Sequence, residues 1–205
     1  MTVETKNGIN KKRFYVAIFG SARIEPGDLN WYLIYDLAKG LAEEGIDLVT
    51  GGGPGLMDAA SVGHHAGDVS RKALSIGLQI KLPKEQRDSD HLDIKKEFTR
   101  FSARLDNFIE LADVVVVAPG GVGTLLELFY TWQLLQVNMI QDIPIILLGN
   151  MWKDFIRWIK KWPLKNRFLK QEDVDLLTVV DTYEEALDII KKVYQSTFKN
   201  MREAS

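Results

Sequence analysis

The residues best suited to chemistry in this chain lie in one stretch, Pro119-Gly120-Gly121-Val122-Gly123-Thr124-Leu125-Leu126-Glu127. Three glycines in four positions permit positive φ and let a ligand approach the main chain closely. The free N–H groups at the start of the helix that follows favour an anion such as a phosphate. Glu127 lies one helical turn beyond Thr124, so both face the same way. A carboxylate beside an anion-binding turn can stabilise a cationic centre or orient a water. Hydrolysis of a ribosyl bond, through an oxocarbenium-like transition state, needs such a group. The same residues also spell a capping box, in which Thr124 caps the helix and Glu127 reaches back to it. Taken alone, the stretch supports both readings.

Arg104 is the second informative residue. A helix predicted over 98–112 buries Phe101, Leu105, Phe108, Leu111 and Ala112. Positions 101, 104 and 108 are neighbours on a helix surface, which puts Arg104 on or beside this apolar stripe. An arginine there snorkels, pairs with a carboxylate or faces a cleft. Its helix feeds the strand that opens at Asp113, so its side chain has a route towards the glycine turn.

The elements that must position these groups alternate along the chain. Tyr15-Val16-Ala17-Ile18-Phe19 reads as a first strand ending in Gly20-Ser21, followed by a helix over 28–44. A strand over 46–50 runs into Gly51-Gly52-Gly53-Pro54-Gly55 and a helix over 56–66. Residues 74–82 form a third strand, and 83–93 a charged loop without a period. Val114 to Val117 is a strand buried on both faces, and Leu125, Leu128, Phe129, Trp132 and Leu135 stripe the helix after it. Strands over 143–148 and 176–180 and a C-terminal helix complete the alternation. Between the two strands, 151–162 holds Trp152, Phe155, Ile156, Trp158, Ile159 and Trp162, which predicts a helix packed on two sides or lining a subunit interface.

This pattern predicts an α/β fold: a single Rossmann-like doubly wound domain with a mainly parallel sheet and helices on both faces. The boundaries expected are a polar tail over 1–12, the nucleotide-binding domain over 13–198 and a C-terminal tail over 199–205. Ligands of such folds bind beyond the carboxyl ends of the strands, where the glycine turns converge. Neither Gly-x-Gly-x-x-Gly at the first turn nor a P-loop motif is present. Three glycine-bearing turns at one sheet edge favour instead a phosphorylated small molecule.

Composition narrows the class further. The chain has 205 residues, 46% hydrophobic and 26% charged, and a formal net charge of -2, which argues against a global field for nucleic acid. It has no cysteine, hence no disulfide, thiolate metal site or cysteine nucleophile. Of its three histidines, His64 and His65 are adjacent, a poor spacing for joint ligation, so no metal site is expected. The polar start and the lack of a long apolar run lead to the expectation of a cytoplasmic protein with no membrane partner.

The Pro-Gly-Gly-x-Gly-Thr-x-x-Glu pattern of 119–127 resembles the signature of the LOG (lonely guy) family. Its members are cytokinin riboside 5′-monophosphate phosphoribohydrolases and related bacterial nucleotide nucleosidases, often labelled possible lysine decarboxylases. Gly51-Gly52-Gly53-Pro54-Gly55-Leu56-Met57 resembles the family's second glycine motif with one residue fewer. Ser75-Ile76-Gly77-Leu78-Gln79-Ile80-Lys81-Leu82-Pro83-Lys84-Glu85-Gln86 is similar to a stretch of its bacterial branch. The resemblance implies a catalytic pair, Arg104 and Glu127, and hydrolysis of a nucleoside 5′-monophosphate, AMP or an N6-modified AMP, to base and ribose 5-phosphate without cofactor or metal. It assigns Gly20, Ser21, Gly52, Gly53, Gly120, Gly121, Gly123 and Thr124 to the phosphate and nucleotide, and implies a homodimer or larger homo-oligomer. Phe101-Ser102-Ala103-Arg104-Leu105 departs from plant-type members, in which a lysine follows the arginine. Two rivals are a molybdenum-cofactor carrier, which resembles this fold and needs no hydrolytic pair, and a pyridoxal-dependent decarboxylase. The latter needs a Schiff-base lysine, and neither glycine motif holds one.

Overall fold

A computed structural model describes the backbone of residues 5–6, 9–10, 13–81 and 89–203, and the side chains of 13–81 and 89–197. Two short strands, β1 (Thr5–Lys6) and β2 (Ile9–Asn10), pair antiparallel ahead of the domain. Then follow β3 (Tyr15–Phe19), α1 (Leu29–Glu43), β4 (Asp47–Thr50), α2 (Leu56–Gly67), β5 (Ser75–Ile80), β6 (Ile94–Phe98), α3 (Phe101–Leu111), β7 (Val114–Val117) and α4 (Val122–Gln136). The chain closes with β8 (Ile145–Leu148), α5 (Met151–Ile159), a π-helical turn (Lys160–Leu164), α6 (Gln171–Asp175), β9 (Leu177–Val180) and α7 (Tyr183–Glu203).

Strands β3 to β9 form one sheet in the order β6-β5-β4-β3-β7-β8-β9, and every pairing is parallel. The order reverses between β3 and β7, which makes their carboxyl ends the switch point where such sheets bind ligands. Side-chain alternation divides the core. Tyr15, Ala17 and Phe19 of β3 pack with Val115, Val117, Phe108 and Trp132 on the face covered by α3 to α6. Val16 and Ile18 pack with Val114, Val116, Leu37, Leu41 and Ala60 on the face of α1, α2 and α7. Burial on both sides explains why these strands read as continuous apolar runs rather than alternating ones.

Three expectations are corrected. The helix predicted over 98–112 starts at Phe101. Residues 94–98 form the edge strand β6, which pairs with β5 from Ile76↔Ile94 to Ile80↔Phe98. Its Lys95 and Glu97 face solvent, and this edge polarity disguised it as loop. Phe101, at the first position of α3, is half exposed rather than buried. The helix predicted over 151–162 ends at Ile159 and passes into a π-helical turn containing Pro163. It packs on one side only within the chain: Trp152 and Ile159 are buried, whereas Trp158 and Trp162 are about half exposed. The backbone of α7 runs to Glu203. Residues 82–88, which include most of the predicted charged loop and part of the 75–86 stretch, lie outside the described residues.

Candidate active site

Three turns meet at the switch point, and backbone hydrogen bonds lock them together. The Ser21 N–H donates to the Pro119 carbonyl at 3.1 Å, and the Leu56 N–H donates to the Ser21 carbonyl at 2.8 Å. The turns after β3, β4 and β7 are thereby fixed to one another. The same bond uses up the first amide of α2, so that helix start is occupied by the protein itself.

The start of α4 differs. Gly121 is its N-cap, with extended backbone (φ -100°, ψ -150°) and no side-chain cap. The amides of Val122, Gly123 and Thr124 have no intrahelical acceptor, and all three residues line an adjoining cavity of about 850 Å³. The capping box expected over 124–127 is therefore absent. Thr124 is the third helical residue, and Glu127 is the sixth. The glycines here do not serve positive φ either: Gly120, Gly121 and Gly123 all lie outside that region. A Cβ on Gly120 would stand 2.1 Å from Thr124 Oγ1, so this glycine permits close packing against Thr124. A Cβ on Gly121 or Gly123 would meet nothing within 4 Å, which leaves their backbone open to the cavity.

Because α4 starts two residues before Thr124, Glu127 turns inward. It is 9% exposed, beside buried Thr124, Leu128 and Thr131. Arg104 reaches the same point from α3 and is equally buried. Its Nε donates to the Leu78 carbonyl on β5 at 2.7 Å, and its Nη2 stands 3.3 Å from Glu127 Oε1. The guanidinium also lies over the Phe108 ring, 5.1 Å from the centroid. Gly51 makes room for it: a Cβ there would stand 2.4 Å from Arg104 Nη2 and 2.6 Å from Met57 Sδ.

Burial dominates the electrostatics of this pair. Loss of water pushes the Glu127 carboxyl up to about 7, with the Arg104 charge pulling it back only in part. The same desolvation lowers the Arg104 guanidinium below its ordinary value, against the attraction of Glu127. The floor of the cavity thus holds a carboxyl that ionises near neutrality. Among the described residues the cation beside it is Arg104, which the Leu78 carbonyl and the Phe108 ring hold in place.

Of the residues predicted for the site, Arg104, Glu127, Gly20, Ser21, Gly52, Gly53, Gly121, Gly123 and Thr124 all line this cavity. Gly120 does not; it supports Thr124 from behind. Sequence reasoning left out Arg23, Met57, Gln79, Lys81 and Glu97, which also line the cavity. The signal available for Gln79 and Lys81 was their place at the carboxyl end of a predicted strand. Glu97 was hidden with its strand. Among the described residues no cluster of three His, Asp or Glu could hold a metal, and no helix is long and apolar enough to cross a membrane.

Comparison with known proteins agrees with this architecture. The sequence family described as possible lysine decarboxylase matches residues 57–190, a span that contains both Arg104 and Glu127. The chain is 29% identical over 127 residues to the cytokinin riboside 5′-monophosphate phosphoribohydrolase LOG of Oryza sativa subsp. japonica. That alignment covers 60% of this chain and 51% of the rice protein, so the chain spans about half the length of that relative. Among solved structures, the molybdenum cofactor binding protein of Rippkaea orientalis is similar with a TM-score of 0.68 at 22% identity, over 89% of this chain and 98% of that one. The molybdenum cofactor carrier protein of Chlamydomonas reinhardtii gives 0.60 at 21% identity, over 89% and 99%. DNA processing protein A of Helicobacter pylori, described with a single-stranded DNA binding mode, gives 0.54 at 18%, over 87% and 80%. At these identities the likeness is one of fold.

Proposed function

The chain belongs to the possible lysine decarboxylase family, the LOG family, and from that premise we propose that it hydrolyses the N-glycosidic bond of a nucleoside 5′-monophosphate. The observation that carries this reading is the buried Arg104–Glu127 pair on the floor of a cavity that opens at the start of α4. The N-cap Gly121 and the first amides of α4, at Val122, Gly123 and Thr124, hold the 5′-phosphate, with Ser21, Gly52 and Gly53 across the crevice. The ribose then lies over Glu127. As the bond from C1′ to the base breaks, the electron pair leaves with the base and positive charge develops on the ribosyl ring. Ionised Glu127 stabilises that charge and orients a water. The water oxygen bonds to C1′ and its proton balances the departing base, giving free base and ribose 5-phosphate. Arg104 keeps Glu127 in place and partly ionised.

The family's description names a different chemistry, and the site fits it poorly. A Schiff-base lysine sits desolvated beside the reacting carbon, whereas Lys81, the lysine among the lining residues, is exposed at the rim. A second reading, a non-catalytic holder of a phosphorylated ligand such as a molybdenum-cofactor carrier, draws on the fold likeness to such carriers. A carrier has no need for a carboxyl that ionises near neutrality on its floor. Chromatography of purified protein incubated with AMP, CMP, GMP, UMP and IMP separates the two. Release of free base with matching ribose 5-phosphate supports hydrolysis, and its absence across the panel overturns it.

Self-association accompanies this proposal. Glu127 is the one charged residue in α4, and Val122, Leu126 and Phe129 are 85%, 44% and 42% exposed. A helix whose outer side is apolar and without charge suits contact with a second copy. The outer face of α5 suits it less. There Arg157 pairs with Asp154 and Lys153 with Asp181, while Lys160 and Lys161 of the following turn stand beside Trp162, so a two-fold contact would bury paired charges and bring the lysines of the turn together. Sedimentation of a Phe129→Glu variant tests this: it should run as a smaller species than the parent protein.

A further inference from the structure

The end of α5 and the π-helical turn after it build a surface that neither the cavity nor the outer face of α4 uses. Residues 157–167 contain Arg157, Lys160, Lys161, Lys165 and Arg167 and no acidic residue, in a chain whose net charge is -2. Arg157 pairs with Asp154 at 2.8 Å. Among the described residues Lys160, Lys161, Lys165 and Arg167 form no ion pair, and all four are exposed. Beside them Trp158 and Trp162 are about half exposed and Phe168 is 79% exposed. None of these residues lines the cavity.

The backbone holds this surface out from the core. Trp152 and Ile159 anchor the inner side of α5. The Arg167 N–H donates to the Leu164 carbonyl at 3.0 Å and the Phe168 N–H to the Pro163 carbonyl at 2.8 Å, which closes the helical segment with a tight turn. Arg167 stands there in the left-handed region, φ 59°, where glycine is the favoured residue. An arginine at that position keeps a charge at the turn despite backbone strain, and Phe168 beside it stands in water.

We propose that this surface docks the protein on an anionic lipid bilayer. Tryptophan rings settle at the headgroup level of a bilayer, where one side is apolar and the other wet. Cations beside such rings meet the lipid phosphates, and the two attractions add. A second copy fits less well, because the unpaired lysines of the turn would face their own kind. Single-stranded nucleic acid needs open ring faces on which bases stack, and Lys161 Nζ already lies over the Trp162 ring, 5.2 Å from its centroid. A bilayer takes the rings as they stand. The expectation of no membrane partner rested on the lack of a spanning segment, and docking on the surface needs none. This inference goes beyond the hydrolase reading and does not depend on it.

The test is flotation of the protein with vesicles of phosphatidylcholine and phosphatidylglycerol in equal parts, against vesicles of phosphatidylcholine alone. Binding to the mixed vesicles should be tighter by about tenfold or more. Lys160→Gln combined with Lys161→Gln should weaken it by about twentyfold. Lys72→Gln combined with Lys192→Gln, the same loss of charge at exposed lysines elsewhere, should leave it within about twofold of the parent protein. Trp158→Ser combined with Trp162→Ser should weaken it by about tenfold. The lysine pair lies wholly on the surface, so it decides the matter if the tryptophan variant melts early. Absent flotation, equal flotation with both lipids, or a Lys160 and Lys161 variant that floats as the parent does would overturn the proposal. So would a labelled single-stranded oligonucleotide that binds more tightly than the vesicles and is released by the same lysine substitutions, which would give the surface to nucleic acid.

Discussion

Thr182-Tyr183-Glu184-Glu185 at the start of α7 and Thr124-Leu125-Leu126-Glu127 at the start of α4 share the pattern Thr-x-x-Glu, and the two helices use it differently. In α7 the threonine stands just outside the helix. The Glu185 N–H donates to Thr182 Oγ1 at 3.3 Å, and the Asp181 and Thr182 amides donate to Glu185 Oε2 at 2.9 and 3.4 Å. That is a capping box on the surface, with both side chains in water. In α4 the helix begins at Val122, so Thr124 and Glu127 already lie inside it. The shift of the pattern relative to the helix start moves Glu127 from the end of a helix to the floor of a cavity. There it loses water and meets Arg104. A motif of this kind takes its meaning from its register with the N-cap. The three glycines of 120–123, which cap poorly with side chains and expose amides, set that register in α4.

The difference can be broken from either side. The largest effect is expected at Glu127. Glu127→Gln should lower base release by about 10³-fold while nucleotide binding stays largely intact, whereas Glu185→Gln should leave turnover unchanged. Wild-type turnover in the first variant would reduce Glu127 to a packing residue. Arg104→Ala comes next, with a loss of about 10²-fold in kcat/KM shared between kcat and KM; steady-state kinetics showing either value unchanged would contradict the dual role. Gly51→Ala acts on the same pair indirectly. The added methyl displaces the ends of Arg104 and Met57, both flexible side chains, so activity should fall by about tenfold with only a small change in melting temperature.

The pH dependence should follow Glu127. Its carboxyl is pushed up to about 7 by burial, and in the proposed reaction the ionised form stabilises the ribosyl cation. So kcat/KM should rise with pH through about 7. Removing the Arg104 charge takes away the influence that lowers this value, and Arg104→Gln should therefore move the rise to higher pH, read from the residual activity. The smallest effect belongs to the surface motif. Thr182→Ala should cost about 1 kcal/mol in thermal or urea unfolding and nothing in turnover.

Much of the fold was legible because its signals are local. Val114-Val115-Val116-Val117 and Ile145-Ile146-Leu147-Leu148 read as doubly buried strands, and the glycine turns after β3, β4 and β7 placed the crevice. The edge strand β6 escaped because Lys95, Lys96 and Glu97 look like loop until pairing with β5 gives Ile94 and Phe98 a sheet to pack on. The site was legible in part for the same reason. Residues inside glycine motifs announced themselves, while Gln79, Lys81 and Glu97 became neighbours only when β5 and β6 paired. Gly120 shows the converse: it belongs to the motif and stays behind the cavity, because its motif position serves Thr124.

By itself, then, the order of residues determined the alternation of strands and helices, the doubly wound class and the three glycine turns that face one crevice. Each of these follows from side-chain periodicity and backbone freedom over a few neighbouring positions. Tertiary structure alone decided whether Glu127 caps its helix or lines the cavity floor. Its burial beside an arginine 23 positions earlier in the chain, and its ionisation near neutrality, arise from water removed by α3, α4 and the ends of the strands together. Desolvation is a property of the assembled site, and no short stretch of sequence contains it.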